Sequence, residues 1–200
     1  MPTIENILAT MRHKPVGYDA DVATAFAQIP PGLCCEFGVL EGRTLRPFAE
    51  ALAPRTLYGF DWFKGLPETW APTMAPKGSM ACAVPQNLPP NAELVIGLFQ
   101  NTLRPFLGLH REPVAFCHFD ADLYTSTKYV LDVLRNHLAD GAIFIFDEII
   151  NSSYNHEHEA RAFAEWLTET GFGFECIGMR HRNAGIFRID PPRASQGMHP

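Results

Sequence analysis

The 200-residue sequence predicts a single α/β domain with a doubly wound, mostly parallel seven-stranded sheet and a C-terminal antiparallel hairpin. Two observations predict this class: short apolar runs alternate with longer helical stretches, and only a short linker separates the last two apolar runs. A content of 46% hydrophobic and 19% charged residues allows a sizeable core. We expect residues 1–190 to form the domain and residues 191–200 to be a disordered tail.

The predicted elements follow one another in chain order. Helical patterns over residues 3–13 and 19–28 precede Pro30-Pro31-Gly32, which interrupts the chain. After this break, short apolar runs bounded by polar residues indicate buried strands, and the stretches between them indicate helices. The predicted strands are 33–39, 56–60, 92–96, 114–120, 142–147, 174–178 and 185–189, and the predicted helices are 42–52, a short one near 103, 125–138 and 157–170. Residues 179–184 are too few for a crossover helix, so the last two strands should pair antiparallel.

Residues 66–90 break this alternation. They contain six prolines and show no sustained period, and proline at this density excludes a regular helix. A loop of this length in a compact domain is either a surface insertion or a functional lid. The apolar side chains of Trp70, Met74 and Met80 favour the lid.

The composition and the N-terminus restrict the function classes. The net charge is −6 and no predicted helix has a basic stripe, which argues against nucleic acid and anionic membranes as partners. No apolar stretch approaches the roughly 20 residues that span a bilayer, and Met1 to Asn6 lack the layout of a signal peptide. The five cysteines, which include adjacent Cys34 and Cys35, are expected to be reduced. The chain is therefore expected to be cytoplasmic.

Four carboxylates follow two of the predicted strands. Asp120 and Asp122 follow the fourth strand, and Asp147 and Glu148 follow the fifth. If the two strands are neighbours, the four acids converge, which is costly unless a cation neutralises them or a proton is shared. Oxygen ligands favour Mg²⁺, Ca²⁺ or Mn²⁺. The pattern predicts a divalent-metal site at the edge of the sheet.

The loop after the first strand restricts the cofactor. It runs Glu36-Phe37-Gly38-Val39-Leu40-Glu41-Gly42-Arg43, and Leu40 and Arg43 stand where the phosphate-binding pattern has glycines. A cofactor without phosphates therefore fits better. Glu36 would be a costly buried charge unless a cation, such as an ammonium group of the ligand, meets it. The alternative is a loop glycine beside an acid that caps a neighbouring helix.

The second strand ends at Asp61, which is followed by Trp62 and Phe63. A carboxylate here can accept hydrogen bonds from both hydroxyls of a ribose, and an aromatic ring beside it can stack on an adenine. An acid at a strand end can also form a turn or cap a helix, but its spacing from Gly38 favours the ribose. Together with Glu36, these residues describe an adenosine cofactor with an amine on its tail. That cofactor is S-adenosylmethionine.

These motifs resemble the class I S-adenosylmethionine-dependent methyltransferases, and within them the macrocin O-methyltransferase type, which methylates sugar hydroxyls in antibiotic biosynthesis. The resemblance extends over residues 33–189 and implies a Rossmann-like fold. The motifs are Glu36-Phe37-Gly38-Val39 with Gly42, Tyr58-Gly59-Phe60-Asp61 with Gly65-Leu66-Pro67-Glu68, Gly97-Leu98-Phe99 with Thr102-Leu103, and Phe119-Asp120-Ala121-Asp122-Leu123-Tyr124-Thr125-Ser126-Thr127.

The resemblance also implies site residues. Glu36 and Gly38 would line the methionine end of the cofactor, and Asp61 would hold the ribose. The full set of expected cofactor-binding residues is Glu36, Gly38, Gly42, Asp61, Trp62, Phe99 and Gln100. The expected Mg²⁺ ligands are Asp120, Asp147 and Glu148, and Asp122 would be the general base. The family's sugar-methylating members usually have a second aspartate where this chain has Glu148.

The predicted enzyme is an O-methyltransferase that acts on a hydroxyl of a sugar or another small polyhydroxylated molecule. The alternatives are a nicotinamide-dependent oxidoreductase on the same sheet topology and a non-catalytic protein that binds S-adenosylmethionine. Because the N-terminal region of residues 1–30 is short, a second subunit of a homodimer would complete the acceptor site, or else the substrate is small.

Three further polar groups are expected to be structural. The run His156-Glu157-His158-Glu159 is predicted to be the solvated first turn of a helix. His118 is predicted to be a packed or hydrogen-bonded histidine within its strand. Arg180-His181-Arg182 is predicted to be a hairpin tip that faces solvent.

Overall fold

The computed structural model describes residues 2–12, 17–71, 73–150 and 158–192. The predicted tail therefore lies mostly outside the described residues. The strands are β1 (Leu33–Phe37), β2 (Leu57–Asp61), β3 (Ala92–Ile96), β4 (Val114–Phe119), β5 (Leu138–Phe146), β6 (Gly173–His181) and β7 (Ala184–Asp190). The helices are α1 (Ile4–Arg12), α2 (Asp19–Ala27), α3 (Leu45–Leu52), α4 (Phe99–Leu109), α5 (Tyr124–Leu134) and α6 (Glu159–Thr170).

The strands form one sheet in the order β3-β2-β1-β4-β5-β7-β6. Strands β1 to β5 are parallel, whereas β7 runs antiparallel to both β5 and β6. This confirms the predicted doubly wound class with a C-terminal hairpin. The order reverses between β1 and β4, and open α/β sheets bind their ligands beyond the strand ends at such a point.

The main difference from the predicted elements lies between α5 and β5. The predicted helix 125–138 ends at Leu134, and β5 begins at Leu138 because Leu138 already pairs with Val114 of β4. Pairing with the sheet overrides the helical pattern there. In the described part of the chain, no helix is long and apolar enough to cross a membrane.

Apolar side chains cover both faces of the sheet. On one face, a row of four fully buried phenylalanines crosses β2, β1, β4 and β5 at the level of their last residues. Phe37 stacks on Phe60 and on Phe119 at centroid distances of 4.9 and 5.7 Å, and Phe119 stacks on Phe146 at 4.6 Å. Each aromatic pair contributes about 0.5–1.5 kcal/mol beyond its buried area. The row therefore fixes the strand ends relative to one another.

Candidate active site

A cavity lies beyond the carboxyl ends of β1, β2, β3 and β4, where the strand order reverses. Its wall contains Asp120 and Asp122, and residues 97–100 border it from the loop that follows β3. Five of the seven residues that the sequence predicted for the cofactor line this cavity: Gly38, Asp61, Trp62, Phe99 and Gln100.

Gly38 closes the end of β1. Its φ of +96° lies in a region that side chains rarely adopt, and the backbone of Asp120 passes directly beside it. Its N–H donates to the carbonyl oxygen of Phe60, and the N–H of Asp120 donates to that of Phe37. The absence of a side chain at Gly38 thus lets the ends of β1 and β4 meet at the floor of the cavity.

Asp61 fastens the loop after β1. Its Oδ2 accepts the N–H groups of Val39 and Leu40, both at 2.9 Å, and its Oδ1 accepts the N–H of Phe63 at 2.7 Å. Two carboxylate oxygens offer about four lone-pair positions, so these amides leave one for a ligand hydroxyl. Asp61 therefore shapes the loop and still presents an acceptor to the cavity.

Glu36 and Gly42 do not border the cavity in the described structure. Glu36 is fully buried, its Oε1 accepts the Thr44 hydroxyl, and the same oxygen lies 3.4 Å from Nδ1 of His118. The cation beside Oε1 of Glu36 is thus His118, its register neighbour on β4, whereas Oε2 of Glu36 is buried and has no hydrogen-bond partner among the described residues.

His118 lies between two carboxylates. Its Nε2 is 3.6 Å from Oδ1 of Asp147, opposite the contact of its Nδ1 with Glu36. Burial alone lowers the pKa of His118, but Asp147 and Glu36 outweigh burial and raise the pKa to about 10. The buried imidazole is therefore protonated and links the floor of β1 to the end of β5.

Asp147 is surrounded by nitrogen groups. Oδ1 of Asp147 contacts Nη1 of Arg180, Nε2 of His181 at 3.2 Å and Nε2 of His118 at 3.6 Å. Burial would raise the pKa of Asp147, but these neighbours hold it well below its usual range. Asp147 is therefore ionised and is already neutralised by residues of the chain.

Asp120 and Asp122 experience the opposite effect. Burial, together with Asp147 and Glu36, raises the pKa of Asp120 to about 6, although His118 opposes the shift. Burial and the neighbouring carboxylates, Asp120 first among them, raise the pKa of Asp122 to about 8. Asp122 adopts a φ of +58°, so the chain reverses beyond β4 and both side chains reach the cavity. In the described residues, ligand atoms of His118, Asp120 and Asp147 lie within 4.8 Å of one another.

A family profile described as a methyltransferase domain matches residues 35–149, from β1 to just beyond β5. The chain belongs to this methyltransferase family. The match covers more than half of the chain and includes all the strand ends that border the cavity. No curated protein matches the sequence.

Solved structures of methyltransferases resemble this one. CalS11, a calicheamicin methyltransferase, is 26% identical with a TM-score of 0.68, over 85% of this chain and 77% of CalS11. The O-methyltransferase NovP is 19% identical with a TM-score of 0.63, over 87% of this chain and 79% of NovP. MycE, from the mycinamycin pathway and in complex with Mg and SAH, is 10% identical with a TM-score of 0.59, over 91% of this chain and 50% of MycE. Family and fold confirm the resemblance to class I methyltransferases, whose methyl donor is S-adenosylmethionine.

In this chain, Glu148 is not part of the group formed by His118, Asp120 and Asp147. Its backbone N–H donates to Oε2 of Glu159 at 3.2 Å. The structure thus brings together two of the three predicted metal ligands and adds a histidine that the sequence prediction treated as structural.

The prediction of a solvated first turn at His158 and Glu159 was wrong. Both residues are buried where α6 begins, and His156 and Glu157 lie outside the described residues. Burial lowers the pKa of His158 to about 4. Burial, followed by Asp120, raises the pKa of Glu159 well above its usual range. No local sequence pattern indicated this burial, because it depends on how the chain packs after β5.

The prediction of a solvent-facing hairpin tip was also wrong for Arg180 and His181, which contact Asp147. The position of the tip follows from the strand order and not from a local pattern: β7 begins beside the end of β5, so the turn before β7 lies at the site. The position of β7 next to β5 provides this geometry, since Gly185 pairs with Phe146.

Part of the 66–90 segment packs against the methyltransferase site. Leu66 and Trp70 form a small buried cluster with Leu123, and the hydroxyl of Thr125 donates to Oε1 of Glu68 at 2.7 Å. Leu66 and two other residues of the segment, Pro67 and Met80, line the cavity. The segment has no helix or strand of its own among its described residues, but it is fixed to the loop that contains Asp122.

Proposed function

We propose that this methyltransferase transfers a methyl group to a hydroxyl oxygen of a sugar or another small polyhydroxylated molecule. The observation that supports this most is that Asp122 lines the same cavity as Asp61 and Phe99. A base and the expected cofactor contacts are therefore adjacent. CalS11 is described as a TDP-rhamnose 3'-O-methyltransferase, which supports a hydroxyl of a sugar-like acceptor.

The cavity suits S-adenosylmethionine. Asp61 has an acceptor position left for a ribose hydroxyl. Phe99 and Gln100 border the same cavity and would lie beside the adenine. Trp62 forms a further part of this wall, with its indole N–H donated to the carbonyl oxygen of Gly65. When bound, the cofactor supplies an electrophilic methyl carbon on a positively charged sulfur.

Asp122 is proposed to act as the general base. A sugar hydroxyl is a weak nucleophile near neutral pH, so its proton must leave as the oxygen attacks the methyl carbon. One oxygen of ionised Asp122, a form whose share grows as the pH rises towards its pKa of about 8, would take this proton. The C–O bond would form, and the C–S bond would break to leave S-adenosylhomocysteine. The reversed backbone at Asp122 holds this carboxylate beside the cavity, apart from the contact between Asp147 and His118.

The second part of the proposal is a divalent metal ion. Mg²⁺ is favoured because the proposed ligands are carboxylates. Asp120, which lines the cavity, and Asp147 have ligand atoms within 4.8 Å of each other, and these two residues would hold the ion together with Glu148. Bound there, the ion would lower the pKa of the acceptor hydroxyl and orient it. His118 is an imperfect third member, because it is protonated between Glu36 and Asp147.

The segment 66–90 is proposed to be the lid of this site, because it lines the cavity and contacts the loop of Asp122.

Two further predictions stand beside this proposal: residues 1–190 form a single domain, and the protein forms a homodimer. The membership in a methyltransferase family decides against the nicotinamide-dependent oxidoreductase.

A screen of hydroxyl acceptors tests the proposed reaction. Nucleotide sugars, free sugars and phenols would be incubated with the enzyme, S-adenosylmethionine and Mg²⁺, and release of S-adenosylhomocysteine would be measured. At least one polyhydroxylated acceptor should stimulate release, and the product should be an O-methyl ether by mass spectrometry. Binding of S-adenosylhomocysteine without turnover on any acceptor would instead favour a non-catalytic binding protein.

A further inference from the structure

Two neighbouring residues of β6 reach the same carboxylate oxygen. Nη1 of Arg180 and Nε2 of His181 both contact Oδ1 of Asp147. Adjacent residues of a regular strand point to opposite faces. The register of β6 against β7 shifts between Met179 and His181, and such an irregularity lets both side chains turn towards β5.

These two donors fill one oxygen of Asp147. The N–H of Asn183 donates to Nδ1 of His181 at 3.3 Å, so the ring proton lies on Nε2 and His181 donates to Asp147. A carboxylate oxygen has two lone pairs, and Arg180 and His181 use both. A metal ion could bind Oδ1 only in place of one of these donors.

Arg180 is the donor that repels a metal. Its guanidinium is always charged. The guanidinium carbon lies 5.4 Å from the centroid of the Phe48 ring, so the group is held between an aromatic face and Asp147. A divalent cation on the same oxygen would stand next to this fixed positive charge.

The backbone around Arg180 is fixed, but its side chain can leave. The N–H of Met179 donates to Oδ2 of Asp21 at 3.0 Å, and the N–H of Ile150 donates to the carbonyl oxygen of Asn183 at 2.9 Å. The side chain of Arg180 retains 23% of its exposure, which gives it a path to solvent. A rotamer change of one residue would therefore open Asp147 without moving the hairpin.

We propose that Arg180 is the resident counter-ion of Asp147 and that Arg180 and a divalent metal bind Oδ1 of this carboxylate in a mutually exclusive way. Arg180 thereby determines the metal affinity of the methyltransferase. The inference rests on the metal part of the proposed function and names a residue that neither the family motifs nor the predicted ligand set includes. When no metal is bound, Arg180 neutralises Asp147.

Titration of the full-length protein with Mn²⁺, followed by the electron paramagnetic resonance signal of the free ion, tests this. Arg180→Gln should bind Mn²⁺ about tenfold more tightly than the wild type, within the usual range of coupling between two bound groups. Arg180→Met, which keeps an apolar chain over Phe48, should show the same gain. Arg182→Gln removes an equal charge from the exposed tip and should change the affinity less than twofold.

Unchanged or weaker Mn²⁺ binding in both Arg180 variants relative to Arg182→Gln would overturn the inference, and so would the absence of Mn²⁺ binding in every protein. Calorimetry with S-adenosylhomocysteine on the same samples separates this from the cofactor assignment. Retained binding of that ligand shows folded protein with a working cofactor site, whatever the metal result. Loss of that binding in the wild type would refute the cofactor assignment alone.

Discussion

A Cβ atom on Gly38 would lie 1.9 Å from the backbone carbonyl oxygen of Asp120. This distance is too short for any real contact, and the obstacle is backbone that cannot rotate away. The first residue of the loop after β1 and the first acid after β4 are therefore placed by one contact between main chains. A change at Gly38 must separate β1 from β4.

Gly38→Ala should destabilise the protein by at least about 2 kcal/mol, since it combines a positive φ with overpacking. Unfolding in urea would measure the loss. Gly108→Ala is the matched control, because Gly108 lies in α4 with nothing within 4 Å of an added Cβ. The control should be neutral or stabilising by about 0.5–1 kcal/mol. Equal free energies of unfolding for the two variants would contradict the proposed contact.

Asp61→Ala should weaken binding of S-adenosylhomocysteine roughly tenfold to a hundredfold, since hydrogen bonds to a charged group contribute about 1.5–3 kcal/mol. The substitution also frees the amides of Val39 and Leu40. Calorimetry measures the affinity. Asp190→Ala removes the same charge at the opposite edge of the sheet and should leave binding unchanged. Wild-type affinity in Asp61→Ala would remove Asp61 from the cofactor site.

Asp122→Asn should lower turnover by at least about 100-fold, the usual contribution of a general base. The affinity for S-adenosylhomocysteine should stay within threefold of wild type, because Asp122 is proposed to act on the acceptor and not on the cofactor. Turnover would be measured with the acceptor from the screen, and Asp132→Asn on the surface of α5 is the control. A variant with near wild-type turnover would show that another group takes the proton.

The stability of the protein should fall in mild acid because of His158. Its pKa is about 4 when folded and about 6.5 when unfolded, so the unfolded chain binds a proton first as the pH falls. The stabilisation is complete above pH 6.5 and is lost towards pH 4, at up to about 1.4 kcal/mol per pH unit for one proton.

Unfolding in urea at pH 7, 6 and 5 measures this dependence. His158→Gln should reduce the slope, whereas His137→Gln, at an exposed position after α5, should keep it. Identical slopes in the wild type and His158→Gln would mean that other groups cause the acid sensitivity.

The sheet and the main acids of the site were predictable because local patterns determine them. Apolar runs defined the parallel strands, and Asp61, Asp120 and Asp147 each come directly after such a run or at its end. Parallel strands end at one edge, so the convergence of Asp120 and Asp147 followed from their order along the chain.

The cationic partners of the acids were not predictable in the same way. The pairing of Glu36 with His118 depends on the register of β1 against β4, and the contact of Arg180 with Asp147 depends on a strand irregularity next to the hairpin. Neither a strand register nor a strand irregularity produces a periodic pattern in the sequence. The sequence therefore identified the charges that need compensation but not the residues that compensate them.

The phenylalanine row beneath the cavity separates stability from chemistry. Phe60, Phe119 and Phe146 each precede an acid of the site by one residue, and Phe37 precedes Gly38 in the same way. The rings contribute their packing energy to the core, whereas the polar residues lie just outside it. Substitutions among these acids can therefore alter acceptor, metal or rate and leave the aromatic scaffold intact, so one framework can serve a succession of different methylation reactions.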